Sequence, residues 1–292
     1  MSKRYEAVSL LRKDHPVELL CKAIGVSKSG YYSYINRPAK TVSERDQKDI
    51  KAIQQLYDKS KKTYGAKHIA GELKAKGHVI NHKRVSRLMR EMNIKSVIRA
   101  VRPSTIHKET SGGYIHPNLL NRDFNAVLPN RKWVTDLSEL TVKDVKFFIS
   151  AIVDLHNREV IGFAISVHPN ADLVEKTVRM AMDRRGLTDL KQVVLHSDRG
   201  SVYSSTRHHR LENELGFSPS MSRKANCWDN AVIESFFSHL KTKFPHFFSI
   251  DSAEQVMADL PKFVAYYNGE RSQKRLGYLT PAAYLELEKL AS

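Results

Sequence analysis

Three carboxylates in this 292-residue chain have the chemical type and placement to hold divalent cations. Asp136 lies in Trp133-Val134-Thr135-Asp136-Leu137, at an apolar, strand-like run. Asp198 closes a second such run, Val193-Val194-Leu195-His196-Ser197-Asp198, and Glu234 follows Asn230-Ala231-Val232-Ile233 on a helical pattern. Thirty-five residues separate Asp198 from Glu234. Hard divalent cations take oxygen ligands, and paired cations that drive in-line phosphoryl transfer are held chiefly by carboxylates. With 31 acidic residues in the chain, such a spacing also arises by chance. Asp154, at the end of another strand-like run, is a rival ligand, or else an acceptor for the turn containing Arg158.

The elements around these residues would position them. Strands are expected over 132–140, 147–155, 160–167 and 192–196, with a short extended stretch over 218–222. Helices are expected over 172–186, 203–215 and 229–244. This order is mixed α/β. On the last helix Ile233, Phe236, Phe237 and Leu240 recur as a core stripe, while Asn230, Glu234, Ser238 and Lys241 share a second face. That face could meet metals and a phosphate backbone, with Lys241 as a point charge. A helical tail, 246–292, carries Arg271 and Lys274, read as DNA contacts or as solvated charges.

Charge is unevenly distributed. The net charge is +17, and residues 1–130, with 26 Lys+Arg against 11 Asp+Glu, hold +15 of it. A basic front end suggests a polyanion partner. Residues 1–100 read as a helical DNA-binding region with two helix-turn-helix-like units, about 5–36 and 43–95. In the first, Gly25 would end one helix and Ser27 cap the next. In the second, Asn81 or His82 would begin a helix whose apolar stripe is Val85, Leu88, Met89 and Met92. Arg84, Arg87 and Arg90, with Lys83, fall largely off that stripe and suit phosphate contact. Residues 101–130, with scattered Pro and Gly, read as a linker or arm. Cys21 and Cys227 are too few for a disulfide framework or an all-Cys zinc site, and no run approaches a membrane span. A soluble, intracellular protein is expected, with Cys227 a small packing residue.

The blocks 194–204, 221–243 and 266–281 resemble bacterial insertion-sequence transposases, specifically the catalytic OrfB subunit of the insertion-sequence-3 family. The resemblance covers nearly the whole chain. It implies an α/β, ribonuclease H-like integrase core over 131–245 and a DDE triad of Asp136, Asp198 and Glu234 as catalytic and metal residues. It also implies two Mg²⁺ ions, for which Mn²⁺ would substitute. Implied partners are double-stranded DNA (terminal inverted repeats and target), further copies of the chain on DNA, and an upstream OrfA subunit or frameshift fusion; no membrane is implied. The setting would be the bacterial cytoplasm, at the nucleoid. Arg199, Arg223, Lys224, Trp228, Asn230 and Lys241 join the basic helix as expected DNA contacts. Trp228 is read as base-stacking or, preferentially, as a hydrophobic staple, and His196 as support for the strand end. Alternatives are a ribonuclease H-like nuclease without strand joining and a catalytically inactive DNA-binding regulator.

Overall fold

The computed structural model describes residues 2–36, 43–97, 113–142, 145–224, 226–248 and 252–291. The chain divides into two compact units, Met1–Lys51 and Ala52–Ser292. In the first, α1 (Ser2–Leu11), α2 (Val17–Ile24) and α3 (Lys28–Ile35) close around Val8, Leu20, Cys21 and Tyr31. Gly25 ends α2 at φ 70°, a left-handed conformation that costs glycine little, and the Ser27 side chain accepts from Gly30 N–H to start α3. Both features match the sequence expectation.

The larger unit begins within α4 (Glu44–Lys59) and continues through α5 (Ala66–Ala75) and α6 (His82–Glu91). Asn81 caps α6 by accepting from the N–H groups of Lys83 and Arg84. Val85, Leu88 and Met89 are buried as the stripe requires, and Met92 is partly buried.

A five-stranded sheet follows: β1 (Lys132–Val142), β2 (Val145–Asp154), β3 (Val160–Ser166), β4 (Val194–Ser197) and β5 (Ser218–Met221), in the order β3-β2-β1-β4-β5. The first three strands are antiparallel neighbours, whereas β4 runs parallel to both β1 and β5. This is the mixed sheet of a ribonuclease H-like core. Side chains alternate between faces along a strand. Trp133 and Ile152 therefore meet α7 (Ala171–Arg185) and α8 (Thr206–Leu215) on one face, through Val174, Val178 and Leu211. Val134, Ile149 and Ala151 meet α9 (Ala231–Phe247) and α10 (Ala253–Gly269) on the other, through Ile233, Phe237, Leu240 and Leu260. Each such side chain stabilises the fold by roughly 1.5–3 kcal/mol on burial. Helix α9 runs three residues past the expected end, through Pro245, and α11 (Pro281–Ala291) completes the chain.

Residues 113–130 correct the linker reading. The Tyr114 N–H donates to Ser204 O (3.0 Å), Met221 N–H to Pro117 O (3.3 Å) and Leu119 N–H to Ser220 Oγ (2.9 Å), and Leu120 is buried in the core. This stretch is docked on the sheet's β5 edge. The expected arm residues 101–112 lie outside the described set.

His196 spans β4 and β5 from a fully buried position. Its Nδ1 lies 2.8 Å from Ser220 Oγ and its Nε2 3.2 Å from Ser222 Oγ. It supports the strand end, as expected. Burial lowers its pKa to about 4, and burial does the same for His208 on α8. A folded-state pKa below the ordinary 6.5 means that the unfolded chain takes up protons first as pH falls. The associated stability is complete above about pH 6.5 and is lost toward pH 4. Urea unfolding across this window should show stability declining with acidification, and His196→Gln should make the decline shallower.

Candidate active site

Asp136 lies within β1 rather than at its end. Its position is still a strand boundary of a kind. Parallel pairing of β1 with β4 stops at Val134↔His196, two residues earlier, so Asp136 stands where β4 has ended. It shares a face with Val134, the face covered by α9. Asp198 is the first residue after β4, and Glu234 lies in the first turn of α9. The fold thus delivers one acid from each of three elements to one side of the sheet.

Asp136 feels the charge of both other acids. Asp136 is half-buried, and its pKa is pushed up to about 8, first by burial and then by the negative charge of Asp198, with Glu234 adding to it. The Leu137 N–H, 2.8 Å from Asp136 Oδ1, and the positive charge of Lys241 oppose the rise. Glu234 is raised by partial desolvation and by Asp198. Lys241 is two turns along α9 from Glu234, so the helix face read from the sequence does bring its charge to the acids.

Local chemistry fixes each acid. Asp198 Oδ1 accepts from Gly200 N–H at 2.8 Å, and a Cβ at Gly200 would sit 2.9 Å from that same oxygen. A side chain at 200 would require the Asp198 carboxylate to shift. Tyr203 was not singled out from the sequence. It is fully enclosed, lies 3.3 Å from Thr135 Oγ1, and has its pKa raised well above 10 by burial and by Asp136 and Asp198. It packs in the core on the α7 and α8 side of the sheet and feels the charge of both acids.

Asp229 was read only as a helix start. Its side chain is fully buried and accepts from Arg223 N–H (3.0 Å), Arg223 Nε and Nη2 (2.8 and 2.7 Å), Arg122 Nε (2.9 Å) and Asn118 Nδ2 (2.9 Å). Side-chain hydrogen bonding from Arg223 is the main force holding its pKa far below the ordinary carboxylate range. A lone Asp before a helix signals a cap; nothing local signals an arginine 107 residues away in sequence.

Other expected contacts divide. Asp154 is no rival ligand: it is buried, accepting from the N–H groups of Asn130 and His156 and from Arg185 Nη2. Arg223 is committed to Asp229. Asn230 is buried and donates to Thr135 O (3.2 Å), tying the start of α9 to β1 rather than facing DNA. Trp228 is 69% exposed, more open than a ring serving as a hydrophobic staple. Arg199 Nε donates to Ser222 O (2.8 Å), and Lys224 is exposed. On α6, Arg90 is exposed, Arg84 is partly buried, and Arg87 pairs with Glu91 at 2.9 Å. Arg271 is buried, with Nη2 2.7 Å from His239 Nε2 and its guanidinium over the Tyr267 ring, which corrects its reading as a surface charge; Lys274 is exposed. The Cys227 side chain lies outside the described set. No helix among the described residues is long and apolar enough to cross a membrane.

Residues 126–227 and 215–281 match the integrase core domain family, and residues 44–102 match an HTH-like domain family. The chain is 35% identical over 274 residues to the putative transposase InsK for insertion sequence element IS150 of Escherichia coli, covering 94% of this chain and 95% of that protein. It belongs to the insertion-sequence-3 family of transposases. Transposase InsF for insertion sequence IS3A of the same organism is 28% identical over 285 residues, covering 96% of this chain and 98% of that protein. The catalytic core domain of BIV integrase aligns over 56% of this chain and 98% of its own, with 21% identity and a TM-score of 0.43. As an integrase-core transposase the chain is a polynucleotidyl transferase, and a core of this kind implies a divalent metal.

If Asp198 and Asp136 are electrostatic neighbours, removing one charge must ease ionisation of the other. In Asp198→Asn the Asp136 pKa should fall from about 8 toward the ordinary aspartate range, as read by carboxyl ¹³C NMR titration in metal-free buffer. An unchanged titration would separate the two residues.

Proposed function

We propose that Asp136, Asp198 and Glu234 form the DDE centre of this transposase, and that it cleaves DNA at the ends of an insertion element and joins them to target DNA. The observation that carries the proposal is the elevation of Asp136 by burial and by the charges of Asp198 and Glu234, with Glu234 itself raised by burial and by Asp198. An all-oxygen set of clustered carboxylates suits hard divalent cations, whose charge would relieve that repulsion. Asp136, which feels both partners, would hold the ions together with Asp198 and Glu234. Mg²⁺ bound there, or Mn²⁺ in its place, would favour ionisation of the attacking oxygen and offset charge on the leaving 3′-oxygen.

The chain's own groups do the placing. β1 fixes Asp136, Gly200 fixes Asp198, and the Asn230–Thr135 hydrogen bond sets the start of the helix carrying Glu234. Lys241 lies where it can hold a DNA phosphate beside the acids. Exposed Trp228 and Lys224, with Arg199, border the start of α9 and would contact the strand near its cleaved bond. Water as nucleophile gives end cleavage, and a DNA 3′-hydroxyl gives strand transfer. One centre serves both because each is an in-line displacement at a phosphodiester, with no covalent protein–DNA intermediate.

Arg84, Arg87 and Arg90 on α6 are assigned to duplex phosphates at the terminal inverted repeats. Arg87 would exchange its exposed Glu91 partner for phosphate, at small cost because such surface pairs are worth little. Bringing two element ends together calls for more than one copy of the chain on DNA. An upstream OrfA subunit would add to end recognition.

Asp198→Asn should lower Mg²⁺-dependent cleavage of an end-bearing duplex by roughly a hundredfold or more while leaving duplex affinity intact. The same variant should fail to join a pre-cut end with a free 3′-hydroxyl. Undiminished cleavage would remove Asp198 from the centre. Cleavage without joining by the wild-type protein would favour a nuclease.

A further inference from the structure

A second group of ligand-type side chains lies where the docked arm crosses α8, and none of them belongs to the carboxylate centre. His209 and Glu212 are three residues apart on α8 and so share one helix face. His209 Nδ1 lies 2.9 Å from Glu212 Oε2. His116, from the arm, places Nε2 3.4 Å from the same oxygen. One donor atom from each residue lies within 4.8 Å of the other two. A four-coordinate Zn²⁺ with N and O donors at about 2.0–2.2 Å needs donor–donor separations of roughly 3.3–3.5 Å. Small side-chain rotations bring this set onto such an ion. The side chains are 21%, 30% and 15% exposed, so the position is sheltered yet open to solvent on one side.

The donors are held from outside the cluster. The Tyr114 ring stacks on His209, with centroids 3.9 Å apart and planes at 14°. The Tyr114–Ser204 and Pro117–Met221 backbone hydrogen bonds anchor the arm on either side of His116. His208, the next residue back on α8, turns inward against Tyr203 and Phe217 and stands outside the set. Two imidazoles and one carboxylate form a borderline N/O set, suited to Zn²⁺ and poorly suited to Mg²⁺, which prefers octahedral oxygen.

We propose that His116, His209 and Glu212 form a structural Zn²⁺ site, with a water in the fourth position, that pins the arm to α8. Further along, the same arm binds Asp229 through Asn118 and Arg122, so the pin bears on the turn that leads into α9.

Full-length protein, stripped of metal by chelation, would be titrated with Zn²⁺ by calorimetry and followed by thermal melting. With Mg²⁺ present throughout to occupy the carboxylate centre, one equivalent of Zn²⁺ should bind and raise Tm by a further few degrees. His116→Ala and Glu212→Gln should each weaken that binding by about tenfold or more and abolish the Tm rise. Asp198→Asn should retain both, which separates this site from the carboxylate centre. Co²⁺ in place of Zn²⁺ should give the visible absorption of a four-coordinate ion in the wild type and lose it in Glu212→Gln, a near-isosteric change that decides the matter if His116→Ala fails to fold. The proposal is overturned if the wild type binds no Zn²⁺, if both cluster variants bind it unchanged, or if Asp198→Asn abolishes it.

Discussion

Like charges do not gather without a cause, and the gathering of Asp136, Asp198 and Glu234 governs how the rest of this chain is arranged. Two carboxylates brought close in a half-desolvated cleft repel, and a third makes matters worse. Burial and that repulsion together raise Asp136 to about 8. A flexible scaffold would relieve the strain by moving the acids apart. Here the sheet prevents it: β1 is paired on both sides as far as Val134, and both faces of the core are covered by helices. The unfavourable charge is kept because the fold around it is stable enough to bear it, and on the proposed reading bound cations would relieve it.

The surrounding polar groups read as fixtures of that cleft. Tyr203 braces Thr135 from the other side of the sheet, His196 fastens β5 to β4 two residues before Asp198, and Asn230 ties the start of α9 to the carbonyl beside Asp136. Asp229 gathers the arm, Arg122 and Arg223 into one buried knot just before α9. A buried carboxylate with this many donors is costly to disturb, because losing one partner leaves charge unpaired in the interior. The arm, more than a hundred residues away in sequence, and the adjacent Arg223 thus converge on the turn that leads into the helix carrying Glu234.

Much of this was legible in the residues. The Ile233, Phe236, Phe237, Leu240 stripe marks α9 and its buried face, and the apolar runs ending near Leu155 and Asp198 mark strands, because local periodicity reports which face is covered. The proposed triad stands in the sequence as a spacing, with the family resemblance carried by the blocks around Asp198 and Glu234. What stayed hidden depends on partners far away in sequence. Arg223 and Asn230 look like substrate contacts until Asp229 and the Thr135 carbonyl are seen to engage them. Trp228 looks like a staple until its exposure is known, and Arg271 looks like a surface charge until His239 and Tyr267 enclose it. Residues 113–130 lack periodicity because they dock through backbone hydrogen bonds, which leave little trace in side-chain pattern.

The most direct test is where metal binds. Crystals of the full chain grown with Mn²⁺ should give two anomalous peaks at the acids, held among Asp136, Asp198 and Glu234. Mn²⁺ bound elsewhere, with the three carboxylates uncoordinated, would contradict the assignment of this cleft as the catalytic centre.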